Sequence, residues 1–337
     1  MRVLILGGTG LISTGITREL LQRGHEVWHL NRGTTESEET RYVTTVIADR
    51  NDQESLATAA GQMPLFDVVI DMIGFTPEQV SALIESFGSR CGQLIFCSTV
   101  DVYARPSSVY PITESEPKRP APWQYAQDKV RCETILQRWA EESQVPLTII
   151  RPAHTYSDTG SLAHSLGFGT YYLDRLMRNL PIIVHGDGSS LWCSAHRDDV
   201  AVAFANAVGN EQTFGRSYHV AAEECITWNQ IHERVAEGIG APPPQLVHIP
   251  TAILASLDQR AFITAVNLSY NNCFDQSMAK LDLNWKYTIP LKEGASRVFQ
   301  SLRDRNAIVS ADDVPEDDQI IERWTRSMKE LRQEVTE

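Results

Sequence analysis

Val3-Leu4-Ile5-Leu6-Gly7-Gly8-Thr9-Gly10-Leu11-Ile12-Ser13 runs a short apolar segment into a glycine-rich turn and on into a helical pattern that continues to Arg23. Residues 3–6 form a continuous apolar run, as expected for a strand buried on both faces. The glycines permit a tight turn and close backbone approach. The helix that follows would present free amides and the positive end of its dipole to a pyrophosphate. Gly7, Thr9, Gly10, Leu11 and Ile12 are therefore candidate dinucleotide-binding residues, with Ser13 standing where a third glycine is usual.

Working outward, further apolar runs occupy residues 26–30, 44–48, 68–72, 94–98 and 147–151, and helical patterns occupy 12–23, 77–87 and 125–142. Strands alternating with helices predict an α/β fold, a doubly wound parallel Rossmann sheet built from right-handed crossovers. After Arg151-Pro152 the pattern loosens. The expected division is a dinucleotide-binding domain over residues 1–160 and 186–221, a smaller C-terminal α/β substrate-binding cap over 161–185 and 222–310, and an acidic C-terminal helix over 311–337. Ligands of such sheets bind in the crevice at the carboxyl ends of the strands.

The 337 residues are 42% apolar and 22% charged, a globular composition. The net charge of -13 works against nucleic acid and anionic membrane as partners. The six cysteines stand singly, with no Cys-x-x-Cys pair and no ligand cluster at metal spacing, so they predict reduced thiols, no metal and a cytoplasmic location. Four apolar residues after Met1-Arg2 are too few for an export signal or an anchor.

The tip of the second strand selects the cofactor, because a carboxylate there binds the ribose 2'-hydroxyl and an arginine accepts a 2'-phosphate. The chain has Asn31-Arg32-Gly33, which favours NADP and leaves NAD held by Asn31 as the alternative. Asp49-Arg50 ends the third strand, where a carboxylate can accept from an adenine amino group. Tyr125 and Lys129 stand at i and i+4 on one helical face, an arrangement in which an ammonium and a positively charged nicotinamide stabilise a phenolate. The fifth strand delivers Ser98 and Thr99 to the same edge.

Taken in order, these residues resemble the extended short-chain dehydrogenase/reductase superfamily, its nucleotide-sugar epimerase and dehydratase group. The resemblance spans roughly residues 1–305 and includes Val102-Tyr103, Arg151-Pro152, Gly186-Asp187-Gly188 and Asp198-Asp199-Val200. It implies that Tyr125 is the acid/base, that Lys129 binds the nicotinamide ribose and depresses the tyrosine pKa, and that Thr99 holds the reacting hydroxyl with Ser98 in reserve. The implied enzyme is an NAD(P)-dependent oxidoreductase or epimerase acting on a sugar or nucleotide-sugar alcohol.

Departures narrow the chemistry. Dehydratases of the superfamily follow the threonine with Asp-Glu, whereas this chain has Val100-Asp101, which places dehydration below oxidation or epimerisation. Trp192 stands where many relatives carry a diphosphate-gripping arginine, and His154 replaces the usual asparagine of Arg-Pro-x-Asn. Thr99, Asp101, His154, Trp192 and His196 are the candidate substrate residues. His164 and His185 fall in the same segments, with structural burial the competing reading for each histidine. Asn31-Arg32-Gly33 and Val69-Ile70-Asp71 with Gly74-Phe75 also resemble the branch that includes chloroplast stem-loop RNA-binding proteins. A non-catalytic nucleotide- or RNA-binding regulator on the same fold is therefore the rival reading. In the tail, Ile321, Trp324, Met328, Leu331 and Val335 form a helical stripe whose cover is either the protein's own core or a homodimer partner.

Overall fold

The apolar runs pair into one seven-stranded parallel sheet in a computed structural model, which describes residues 1–35, 37–120 and 123–336. Its strands are β1 (Arg2–Leu6), β2 (Glu26–Asn31), β3 (Thr44–Ile47), β4 (Phe66–Asp71), β5 (Cys91–Cys97), β6 (Leu147–Pro152) and a last strand, Arg216–Val220. The order across the sheet is Arg216–Val220, β6, β5, β4, β1, β2, β3. The order reverses beside β1, and there the register sets Leu6 between Leu30 and Asp71. Such a switch point opens a crevice at the carboxyl edge. Val3, Leu4, Ile5 and Leu6 are each 0% exposed, as a strand covered on both faces requires.

Helices α1 (Leu11–Gln22), α2 (Gln53–Gln62), α3 (Pro77–Phe87) and α4 (Gln124–Ser143) cross over between the strands. Local chemistry starts α3: Pro77 fits the first turn, and Thr76 and Gln79 cap each other's backbone amides. The loop just before α3 is fixed as a consequence, and it borders the crevice.

The chain divides into two compact units, the first holding Met1–Thr155, Ala195–Ala222 and Phe274–Thr288. This differs from the sequence division by returning Phe274–Thr288 to the sheet unit. Trp285, 1% exposed, anchors that segment by donating to Asp199 O at 2.8 Å. The second unit holds Tyr156–Ser194, Glu223–Cys273 and Ile289–Glu337. Its core gathers Trp192, Trp228, Leu173, Leu176, Val235 and Val298, and strand Ile182–His185 pairs in parallel with Leu246–Ile249.

One expectation is overturned in this second unit. Cys225 and Cys273, read as reduced thiols, form a disulfide with their Cα atoms 6.0 Å apart. The pairing was hidden because 48 residues separate them. Leu191 is the meeting point, since its strand pairs with Ile226–Thr227 while its carbonyl accepts from Asn272 N. Cys91, Cys97, Cys132 and Cys193 are free thiols. Among the described residues no helix is long and apolar enough to cross a membrane.

Candidate active site

The carboxyl ends of β1, β2, β3 and β4 border a cleft of about 400 Å³ lined by Gly7, Thr9, Gly10, Asn31, Arg32 and Asp49 among others. The turn above β1 is pressed between side chains. Gly7 has φ +80°, and a Cβ there would lie 2.5 Å from Ile73, while a Cβ on Gly8 would lie 2.3 Å from the His29 ring. Helix α1 has no side-chain cap and no acidic residue in its first turn, which leaves its leading amides and dipole for an anion. Asn31 is buried, yet its Oδ1 has no hydrogen-bond partner. Arg32 is exposed on the cleft and no described residue pairs with it. An uncapped helix start, an orphaned acceptor and an uncommitted guanidinium suit a dinucleotide phosphate and ribose.

Arg50 departs from its expected part as a cofactor contact. It lines the cleft, but its guanidinium is spent on the Asp71 carboxylate and on Gln79 O, the latter at 2.8 Å. It braces the ends of β3 and β4 against α3. Asp49 accepts from Asn51 N at 2.9 Å and also lines the cleft.

A second cleft of about 370 Å³ contains Gly10, Leu11, Ile12, Ser13, Ser98, Thr99, Tyr125 and Lys129. Gly10, Ile73 and Phe75 line both clefts. Helix α4 carries Tyr125, Lys129 and Glu133 at successive i+4 positions, so one face presents all three. Lys129 is 1% exposed and donates to Gly74 O at 2.9 Å and Cys97 O at 2.7 Å. Thr99 Oγ1 accepts from Asp101 N at 3.2 Å and donates to Asp101 Oδ2 at 3.3 Å.

The expected depression of the Tyr125 pKa is not what the protein alone produces. Burial pushes the phenol above its usual value, the Asp101 and Cys97 charges add to this, and a hydrogen bond with Thr99 opposes it. Burial likewise draws Lys129 downward, against the opposing influence of Cys97 and Asp71.

Other expected residues lie elsewhere. Ser98 donates its hydroxyl to Glu133 at 2.6 Å and is committed there. Asp101 faces Thr99 and lies 3.6 Å from Arg105. His154 is partly exposed and lines neither cleft. Trp192, read as a ring for stacking on a sugar, is 5% exposed in the second unit's core, 5.4 Å from the Trp228 ring. The tertiary fold brings the Trp228 ring against the indole, whose Nε1 donates to Ser194 Oγ at 3.2 Å. His196 is 0% exposed, and its Nδ1 accepts from Asp198 N to cap the Arg197–Ala207 helix. His164 and His185 are buried within the second unit, His164 with its ring nitrogens 3.3 Å from Leu166 N and 3.2 Å from Gly169 N, and His185 meeting Ser165 and Leu268 O.

Sequence reasoning missed Phe75, Gln79 and Glu133. Glu133 is 0% exposed and receives both Nε and Nη2 of Arg151 at 2.8 and 2.7 Å, with Lys118 at 3.1 Å. Its signal was present, since it is a charge four residues after Lys129 on the same buried face.

The NAD dependent epimerase/dehydratase family model matches residues 3–221. The chloroplast stem-loop binding protein of 41 kDa b from Arabidopsis thaliana is 26% identical over 95% of this chain and 84% of its own length. A 2'-dehydrokanamycin reductase from Streptomyces kanamyceticus is 25% identical over 72% of this chain and 68% of its own. Among solved structures, UDP-glucose 4-epimerase from Thermotoga maritima superimposes with TM-score 0.73 at 21% identity, covering 90% of this chain and 99% of that one. At that identity the likeness is one of fold.

Proposed function

Because the chain belongs to the NAD dependent epimerase/dehydratase family, we propose that it binds a nicotinamide dinucleotide, NADP ahead of NAD, and interconverts a carbohydrate-like secondary alcohol and its ketone. The supporting observation is continuity. Gly10, Ile73 and Phe75 join the cleft that holds Arg32 to the cleft that holds Thr99, Tyr125 and Lys129. Along that path the start of α1 would receive the phosphates of a dinucleotide, and Tyr125 would stand on the side of its reactive end.

The bound dinucleotide supplies hydride transfer. The Gly7, Thr9 and Gly10 turn with the Leu11 and Ile12 amides would hold its pyrophosphate, Asn31 and Arg32 its ribose and 2'-phosphate, and Asp49 its adenine. Tyr125 would take the alcohol proton, and Thr99 would hold the alcohol oxygen by turning onto it the hydroxyl proton that Asp101 otherwise receives. Lys129 keeps one N–H beyond the two given to Gly74 and Cys97, and its charge favours the phenolate that burial and Asp101 disfavour. The same residues serve an epimerase, in which the ketone turns over and is reduced on its other face, and a dehydrogenase, in which it leaves.

Titrating the protein with NADP and NAD, then screening sugars and nucleotide sugars for cofactor reduction or a new stereoisomer, tests the reading. A protein that binds neither dinucleotide at millimolar concentration rejects it. The stem-loop binding relative favours a second reading, RNA binding on the same fold. Salt-dependent retention of a stem-loop RNA would support that reading, against which the net charge of -13 stands.

A further inference from the structure

Lys129 is almost fully buried, and a buried ammonium ordinarily relieves its lost hydration by giving up the proton or by meeting a carboxylate. Here no described residue forms an ion pair with it. Two N–H groups end on the carbonyls of Gly74 and Cys97, and three aromatic rings stand around the nitrogen. Nζ lies 4.7 Å from the Phe96 ring centre, 5.1 Å from that of Phe75 and 5.9 Å from that of Tyr125. The negative faces of aromatic rings attract a cation, most strongly where water is excluded.

The three rings are not equivalent. Phe96 belongs to the sheet core and is 0% exposed, and Tyr125 is the proposed acid/base. Phe75 is 44% exposed, so packing alone does not account for its place. Its loop is held from both sides. Gly74 O accepts from Lys129, and Phe75 N donates to Gln79 Oε1 at 2.7 Å. Phe75 also lines both clefts.

We propose that Phe75 is a positioning residue whose ring roofs the Lys129 ammonium, keeping it charged and in place where other buried lysines rely on a carboxylate. This holds for the protein by itself. Its consequence for dinucleotide binding and for Tyr125 rests on the function proposed above.

The groups facing Lys129 make its titration readable. They are Asp71 at the end of β4, Cys97 at the end of β5, Tyr125 and Cys132 on α4, and Arg50 after β3. Burial raises the Cys97 thiol to about 11 and the Cys132 thiol to about 12, and it pushes Tyr125 above its usual value. Cys97, Cys132 and Tyr125 therefore keep their protons up to about pH 10, which leaves the Lys129 midpoint readable below that.

The test is a ¹³C-lysine NMR titration of the ligand-free protein, with the Lys129 signal assigned by its loss in Lys129→Met. Phe75→Leu keeps apolar bulk at a half-exposed site and removes the ring, and Phe75→Tyr restores the ring. Phe75→Leu should lower the Lys129 midpoint by about half a pH unit or more, the scale of one cation–π contact. Phe75→Tyr should return it to the parent value. A midpoint unmoved by Phe75→Leu, or one that the tyrosine fails to restore, overturns the proposal.

A second arm measures NADP and NAD affinity at pH 7.5. Phe75→Leu should weaken both by a similar factor, about threefold or more, because the ammonium serves both alike. Unchanged affinity for both would remove the functional consequence. A parent protein that binds neither dinucleotide would end the functional reading, and the NMR arm would still decide the roof.

Discussion

Tyr125→Phe removes one oxygen and leaves a ring of the same shape between Phe75 and Trp123, whose centres lie 6.4 and 5.1 Å away. Melting temperature and dinucleotide affinity should therefore stay near the parent values, while turnover falls about 100-fold or more, the scale of a lost general acid/base. Retained turnover would reject Tyr125 as the proton-transfer group. Arg32 offers a separate test because it is exposed and pairs with none of the described residues, so its removal leaves no buried charge among them. Arg32→Ala should weaken NADP about 10- to 150-fold, the range of a charged hydrogen bond, and leave NAD nearly untouched. Isothermal titration with both dinucleotides checks this, and equal losses for the two would remove the preference for NADP. Arg50, one strand away, shows why residue type alone does not assign a role. It is also an arginine at a strand tip, yet its fork is already closed on Asp71 and Gln79.

At the scale of elements, the C-terminal helix Glu316–Thr336 is held by its first turns. Arg260 meets Asp317 at 2.9 Å, Arg175 meets Asp318 at 2.6 Å, and Ile320 is 6% exposed among Leu166, Ile183, Ile249 and Leu254. Ile321 and Trp324 pack against the same cluster, whereas Leu331 is 52% exposed and the side chain of Val335 lies outside the described residues. The stripe thus docks on its own unit over its first half. Deleting residues 316–337 should remove about 2 kcal/mol of apolar burial and lower the melting temperature by about 3 °C. An unchanged melting curve would show that the helix contributes nothing to the fold. What the sequence disclosed follows from range. The β1 turn and α1, the Tyr125–Lys129 spacing and the helical pattern over 77–87 are local patterns, fixed within a few residues of chain. The Cys225–Cys273 bond, the packing of Trp192 on Trp228 and the grip of Arg151 on Glu133 depend on partners brought together only by the tertiary fold.

Across the whole molecule, five of the six histidines buried among the described residues set how the fold responds to acid. Burial lowers His29 and His185 to about 4 and His164, His219 and His232 to about 3, all from an ordinary value of 6.5. The neutral rings make specific hydrogen bonds, such as His29 with Thr17, His219 with Tyr103 and His232 with Tyr172. In the unfolded chain they titrate near 6.5, so below that pH the unfolded state binds more protons than the folded one and stability falls with pH. The loss begins at about 6.5 and ends only near the folded values of 3 to 4, with a slope of up to about 1.4 kcal/mol per pH unit for each histidine. Carboxylates whose pKa is lowered in the fold add to the loss only at lower pH. For Glu133, burial raises the pKa but the Arg151 pair and Lys118 lower it further. Glu114 and Asp317 act in the opposite sense, because burial raises them and their protonation favours the fold. Between pH 6.5 and 5 the histidines dominate, and urea unfolding followed across that interval should show stability dropping steadily as the unfolded chain takes up protons that the folded rings refuse. Replacing His232 by Gln removes one titrating ring and should flatten the slope while lowering stability at pH 7.5, where Tyr172 loses its ring partner. Stability that stays level from pH 6.5 to 5 would mean that these rings admit a proton as readily in the fold as in water.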